Sequence, residues 1–242
     1  MELVTYTETV KGYIVKRPSK RIKSPYVADV LVDGEEKLAH CPSLGLGGII
    51  QPGVEVLMTK STTKSKTDFV IQAVYSEGDM VGNVPLHANQ IVKKLLKANM
   101  IEKDVTTVKS EVKHGESRYD FVITKEQEEI YCEVKSVHIQ DESDPQTAIF
   151  PVGYKKPKHQ TVSDRANKHV EGLTSICKTG GSAVIVFVIQ RNDCTNFQPN
   201  RKGDPVFSEL LDTAVSNGVR VYTVYTKVEE NGIFLRDVTR WN

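Results

Sequence analysis

The chain has 242 residues, 39% of them hydrophobic, which is enough for one large domain or two modest ones with separate cores. Its 32 Lys and Arg nearly cancel its 31 Asp and Glu, so overall basicity is excluded as a source of affinity and local clusters matter more. No apolar run approaches a membrane span, the start MELVTYTETVKGY lacks the features of a secretion signal, and the four cysteines show no CxxC spacing, so a cytoplasmic, reduced chain without a zinc site or disulfides is expected.

From Val10 to Ser76 the pattern is short strands and polar turns: VKGYIVKR, YVADVLVD, KLAHCP, GVEVLMTKS and FVIQAVYS. Asp33-Gly34 is a strong hairpin signal, and Pro52-Gly53 a further turn. Five such strands suit a small OB-type barrel, whose face and loops commonly hold oligonucleotides. Basic residues gather on two of its loops, Lys16, Arg17, Lys20, Arg21 and Lys23 on one and Lys60, Lys64 and Lys66 on the other. A charge run is commonly a solvated loop, but clusters alternating with acidic segments favour a polyanion footprint whose contacts hold the backbone rather than read sequence. Tyr26 and Tyr75 either stack on bases or pack in the barrel.

SEGDMVGNVP, low in periodicity, marks a domain boundary, giving domains at 1–84 and 85–242. Helical spacing follows in HANQIVKKLLKANMI, with Ile91, Val92, Leu95 and Leu96 as its apolar stripe. Asn89 on this helix is either functional or makes a helix-start hydrogen bond.

The stretch KSEVKHGESRYDFVITKEQEEIYCEVKSV reads as strands joined by turns. Alternation puts Glu133 and Lys135 on one face and Cys132, Val134 and Ser136 on the other. Asp120 lies beside Glu133 if the two strands form an antiparallel hairpin, and the turn at Gly115 brings Glu111 back towards them. A lone Glu-x-Lys is commonly a solvated pair. Three carboxylates and a lysine at one point are more specific, because the acids repel one another unless a cation joins them. A hard ion, Mg²⁺ or Mn²⁺, held by Glu111, Asp120 and Glu133 suits such a set. Lys135 would orient the attacking water or stabilise developing phosphorane charge, and phosphodiester hydrolysis is the matching reaction.

Next comes IQDESDPQTAIFPVGYKKPKHQ, with basic Lys155, Lys156, Lys158 and His159, read as irregular: a lid beside the site or a disordered insertion. TVSDRANKHVEGLTSICK has helical spacing. Arg165 and Lys168 are its candidate phosphate binders, and His169 is either a structural histidine or a substrate contact. SAVIVFVIQ reads as a strand buried on both faces, Asp204-Pro205 opens a helix, VRVYTVYT is a strand, and EENGIFLRDVTRWN a small terminal hairpin with Trp241 packed or frayed.

An aspartate heading one strand, Glu-x-Lys in the next, then a helix and a core strand resemble the PD-(D/E)XK nuclease superfamily, with Tyr119 in place of its proline. Longer blocks, SEVKHGESRYDFVI, YCEVKSV, VSDRANKHVEGL, AVIVFVIQRND and VADVLVDGEEKLAHCPSLG, resemble the sugar fermentation stimulation (SfsA) family. That resemblance implies an α/β (α+β) chain, an N-terminal five-stranded OB-fold barrel followed by a PD-(D/E)XK nuclease-like mixed sheet with flanking helices. It also implies DNA binding and a role in regulating sugar metabolism. Glu111, Asp120, Glu133 and Lys135 match its site positions, and Gly115, Ser117 and Arg118 the turn before the aspartate. Ser43 and Leu44 depart from the family's CPNTG motif. The expected function is a Mg²⁺- or Mn²⁺-dependent nuclease acting on single- or double-stranded DNA, with no membrane partner. Its nucleic-acid contacts would be Arg17, Lys20, Arg21, Lys23, Lys60, Lys64, Lys66, Arg118, Arg165 and Lys168. The alternative is a non-catalytic DNA-binding regulator that keeps the scaffold.

Overall fold

The computed structural model describes every residue except 45, 47, 62–64, 153–162 and 242. After strand β1 (Glu2–Thr5) come β2 (Thr9–Lys16), β3 (Val27–Val32), β4 (Glu35–His40), β5 (Glu55–Lys60) and β6 (Phe69–Ser76), the last five matching the five strands expected. They pair in the order β4-β3-β2-β5-β6, and a short parallel pairing of β4 with β6 closes the sheet into a barrel. Closure removes the exposed edges that an open sheet would present. Ile14, Val30, Val56, Met58 and Ile71 fill its interior. Asp33 and Gly34 turn the β3–β4 hairpin with positive φ at both positions, the conformation for which an Asp-Gly pair is suited.

The stretch expected to be an irregular boundary contains strand β7 (Asp79–Gly82), which hairpins onto β6. Its far end bonds to the second unit, where Gly82 N–H donates to the Gln190 carbonyl at 2.8 Å and Val81 bridges to Arg191.

The second unit runs through α1 (Leu86–Lys97), β8 (Val105–His114), β9 (Ser117–Lys125), β10 (Glu128–Val137), β11 (Ile139–Asp141), β12 (Asp144–Phe150), α2 (Asp164–Lys178), β13 (Ser182–Ile189), β14 (Asn196–Pro199), α3 (Pro205–Ser216), β15 (Arg220–Glu229) and β16 (Gly232–Arg240). Its seven-stranded mixed sheet has the order β1-β16-β15-β13-β10-β9-β8, with β10, β13 and β15 parallel. Ala183 to Ile189 are fully buried, as a central strand covered on both faces requires. Helix α1 covers one face with Ile91, Val92, Leu95 and Leu96, each burial contributing roughly 1.5–3 kcal/mol. Helices α2 and α3 cover the other with Val170, Leu173, Phe207 and Leu211.

Two expectations change. The stretch read as irregular after Val137 forms β11 and β12, which join β14 in a small three-stranded sheet. Its alternation is masked by exposed polar residues, and its turn is built by Asp141, whose carboxylate accepts from the Ser143 N–H at 2.8 Å and hydroxyl at 2.6 Å. The cluster Lys155, Lys156, Lys158 and His159 lies outside the described residues. The terminal hairpin is no appendage, since β16 pairs along β15 and also with β1, so the chain's first strand belongs to the second sheet. Trp241 packs edge-on against Phe197 at 6.2 Å. Among the described residues no helix is long and apolar enough to cross a membrane.

Candidate active site

The antiparallel ladder of β9 and β10 runs from Lys125/Glu128 to Phe121/Cys132 and stops; the next pair in register is Asp120 and Glu133. Asp120 takes the Val134 N–H on its own carboxylate at 2.8 Å, so a side chain replaces a ladder carbonyl where the strands part. Its other oxygen accepts from Asn89 Nδ2 of α1 at 2.8 Å. Tyr119 packs in the cluster under α2 and Phe121 in the cluster under α1, so β9 changes face at Asp120.

On β10 the alternation holds. Cys132 and Val134 enter the α1-side core, while Glu133 and Lys135 point the other way. The Lys135 ammonium donates to Glu133 Oε1 at 2.6 Å, with the two side chains only 11% and 5% exposed. His169 Nδ1 of α2 bonds the same oxygen. Glu133 Oε2 is buried with no partner among the described residues. Helix α2 approaches closely because residue 172 is glycine: a Cβ there would lie 2.3 Å from the Tyr119 hydroxyl. The Tyr119 ring meets the His169 imidazole edge-on at 6.0 Å, so this approach also sets where His169 stands over Glu133.

The two carboxylates titrate in opposite directions. Burial, and then the charge of Glu133, push Asp120 above the usual aspartate value, against the bonds from Val134 and Asn89. Burial also acts to raise Glu133, but the His169 and Lys135 bonds and charges outweigh it and hold its carboxyl low. Glu133 is therefore the settled anion and Asp120 the acid under strain.

Glu111 does not complete a three-carboxylate cluster. It lies across from Asp120 in the β8–β9 register and lines a cavity of about 250 Å³ with Asp120 and Asn89. Yet its side chain is 61% exposed and faces Arg118 at 3.9 Å, and among the described residues no three acidic, histidine or cysteine side chains converge as a metal group. The reason is its φ of 55°, which interrupts the pleat so that alternation no longer reports its direction.

Among the basic candidates, Lys20, Arg21 and Lys23 are exposed on the β2–β3 loop, where Lys20 sits 3.8 Å from Glu36 and Arg21 donates to the Glu36 carbonyl at 3.3 Å. Arg17 is engaged elsewhere, donating to the Pro25 and Ser43 carbonyls at 2.8 Å each. Lys60 pairs with Glu8 at 3.2 Å, Lys66 is exposed, and Lys64 lies outside the described residues. Arg118 and Arg165 are exposed, and Lys168 pairs with Glu116 at 3.2 Å. Asn89 and His169, each left with two readings by the sequence, prove to be the residues that hold Asp120 and Glu133. Their signal was a polar side chain within helices that otherwise pack the sheet, and only the fold says which acid each meets.

A closed five-stranded barrel followed by a mixed sheet whose parting strands carry Asp120, Glu133 and Lys135 defines an α+β protein of OB-barrel and PD-(D/E)XK nuclease-like architecture. The model of the sugar fermentation stimulation protein RE domain matches residues 86–232. The chain is 33% identical to a sugar fermentation stimulation protein homolog of Synechocystis, covering 96% of this chain and 94% of that one. It is 30% identical to the homolog of Clostridium beijerinckii, covering 96% of each. The structure of Pyrococcus furiosus SfsA in complex with Ca²⁺ superposes with a TM-score of 0.81 at 22% identity, covering 98% of this chain and 97% of that one. This chain belongs to the sugar fermentation stimulation protein family.

Proposed function

We propose that the protein is a metal-dependent DNA nuclease hydrolysing phosphodiester bonds at Asp120, Glu133 and Lys135. The observation that carries this reading is the pair of carboxylates in register where β9 and β10 part, Glu133 buried and Asp120 half-buried, with the largely enclosed Lys135 ammonium on Glu133. Two desolvated acids side by side cost stability, and Asp120 carries the mark of it in its raised pKa. The donor set fits a hard divalent cation. Glu133 Oε2 has no partner among the described residues, and each Asp120 oxygen accepts one bond, so each retains a lone pair. Mg²⁺ or Mn²⁺ is commonly held by one or two carboxylates with water and substrate phosphate completing the set, so Glu111 is not required. That the similar Pyrococcus furiosus SfsA is described in complex with Ca²⁺ supports a divalent ion in this fold.

When bound, the ion supplies a polarised phosphoryl oxygen and a water of lowered pKa. Lys135 holds the attacking water or lends positive charge to the phosphorane. Asn89 and His169 keep the two carboxylates from turning away, and Lys20, Arg21, Lys23, Arg118 and Arg165 meet the phosphate backbone. One observation favours a second reading, a non-catalytic DNA-binding regulator: Lys135 and His169 already occupy one oxygen of Glu133.

Supercoiled plasmid and single-stranded DNA incubated with Mg²⁺, Mn²⁺ or EDTA separate the two. Metal-dependent nicking by the wild type that is lost in Asp120→Asn and Lys135→Ala supports the enzyme. Salt-sensitive binding with no nicking under any condition leaves the regulator.

A further inference from the structure

A cavity of about 290 Å³ lies where the barrel meets the second sheet, walled by Tyr26, Pro42 and Leu44 on one side and by Ser136, Val137 and Ile149 on the other. We propose that it seats one unpaired nucleobase of the strand that the neighbouring carboxylate site cleaves, an inference that rests on the nuclease reading above.

Place is the first argument. Val137 follows Lys135 by two residues on the same face of β10, about 7 Å along the strand, and Glu133 precedes Lys135 by the same step. A base in the cavity therefore sets its own backbone beside Lys135. The walls come from both units, so an occupant touches the barrel and the acidic site together.

Chemistry is the second. Among the described residues no carboxylate, lysine or arginine lines the cavity, and the His138 imidazole on its wall is engaged with the Ser136 hydroxyl, so the lining offers a phosphate no ammonium or guanidinium and a metal no carboxylate. Pro42, Leu44 and Ile149 offer apolar surface to the faces of a planar ring. Tyr26 is 43% exposed and lies beside the His40 imidazole at 6.5 Å, presenting an aromatic face of the kind on which unpaired bases stack. Ser136 supplies a polar edge, its hydroxyl fixed by His138 Nε2 at 2.8 Å and Gln190 Nε2 at 2.6 Å. Lys20, Arg21 and Lys23 precede Tyr26 on the same loop, where the phosphates of an entering strand would run.

The cavity is also built before any ligand arrives. Arg17 clips its two barrel segments together, donating to Pro25 beside Tyr26 and to Ser43 between Pro42 and Leu44. The Tyr26 carbonyl accepts from the Cys41 N–H at 2.8 Å and meets His40 Nδ1 at 3.0 Å. Such preorganisation lowers the cost of binding. A base paired within a duplex has its faces stacked and its Watson–Crick edge occupied and cannot enter a cavity, so the site selects single strands, ends or flipped bases.

Binding in EDTA tests this without cleavage, using a short oligothymidine with one central 2-aminopurine and a blunt duplex of the same length. The wild type should bind the single strand at least about tenfold more tightly than the duplex and change the 2-aminopurine emission. Tyr26→Ala and the cavity-filling Leu44→Trp should each weaken single-strand binding about tenfold and abolish the emission change, with duplex binding retained as evidence of folding. Both variants binding the single strand within about twofold of the wild type, or no single-strand binding at all, overturns the proposal. Plasmid nicking that persists beside that result sinks the cavity alone. Pocket-dependent binding without nicking in any metal sinks the nuclease alone.

Discussion

His87 and His138 are buried near Gly82, where β7 meets the second unit, and acid should loosen the protein through them. His87 packs on Tyr6 at 5.8 Å, and burial brings its pKa down from 6.5 to about 4. His138 is also brought to about 4, by burial first, with the positive Arg191 and the neighbouring His87 adding to it against a bond to Gly82. Both pKa values are depressed in the folded state, so the unfolded chain takes up the protons more readily. Stability is therefore fully present above pH 6.5 and lost as pH falls from 6.5 towards 4. At pH 5 an unfolded histidine is almost wholly protonated and these two almost wholly neutral, which by linkage costs roughly 2 kcal/mol each and roughly 4 kcal/mol together. That is a large share of the roughly 5–15 kcal/mol that holds a domain folded. Urea unfolding at pH 7.5, 6 and 5 measures it, with a His87→Gln/His138→Gln double variant as the control for carboxylates. The wild type should lose several kcal/mol more than the double variant between pH 7.5 and 5. Equal losses would refute the reasoning.

Gly172→Ala places a methyl against the Tyr119 hydroxyl, and a core this tight should lose about 1–3 kcal/mol of stability with nicking reduced in parallel, both read on one preparation. A tolerated alanine with wild-type melting would show that α2 is free to back away. Asn89→Ala removes a bond that favours ionised Asp120, so the acid limb of the pH–rate profile should move to higher pH while far-ultraviolet circular dichroism stays unchanged. A limb that stays in place would detach Asn89 from the aspartate's titration.

What the sequence made legible follows from how local each signal is. Glu133 and Lys135 fall on one face of β10 as alternation requires, because the unbroken parallel register with β13 keeps the strand regular through both residues even where β9 parts from it. Asp33-Gly34 and Asp204-Pro205 announced a hairpin and a helix start through backbone preferences held in two residues; Asp204 does accept from the Phe207 N–H, at 3.0 Å. Strand β1 left no such trace, since its partner Ile233 lies at the opposite end of the chain. The Gly115 turn does bring Glu111 back along β9 opposite Asp120, but a turn fixes register and not side-chain direction, and at a φ of 55° that direction lies outside a strand's alternation. Arg17 read as one more cation of a basic loop, yet its fork is matched to two carbonyls brought near only by barrel closure. The bonds of Asn89 to Asp120 and of His169 to Glu133 join residues 31 and 36 positions apart, so only tertiary packing from opposite faces of the sheet determines them.

Calorimetric titration of the purified protein with Mn²⁺ at pH 7.5 bears most directly on the central claim, that Asp120 and Glu133 together form the seat of one divalent cation. The wild type should bind a single equivalent, Asp120→Asn and Glu133→Gln should each weaken it at least about tenfold, and Glu111→Gln should leave it within about threefold. Undiminished binding in both Asp120→Asn and Glu133→Gln would contradict the account.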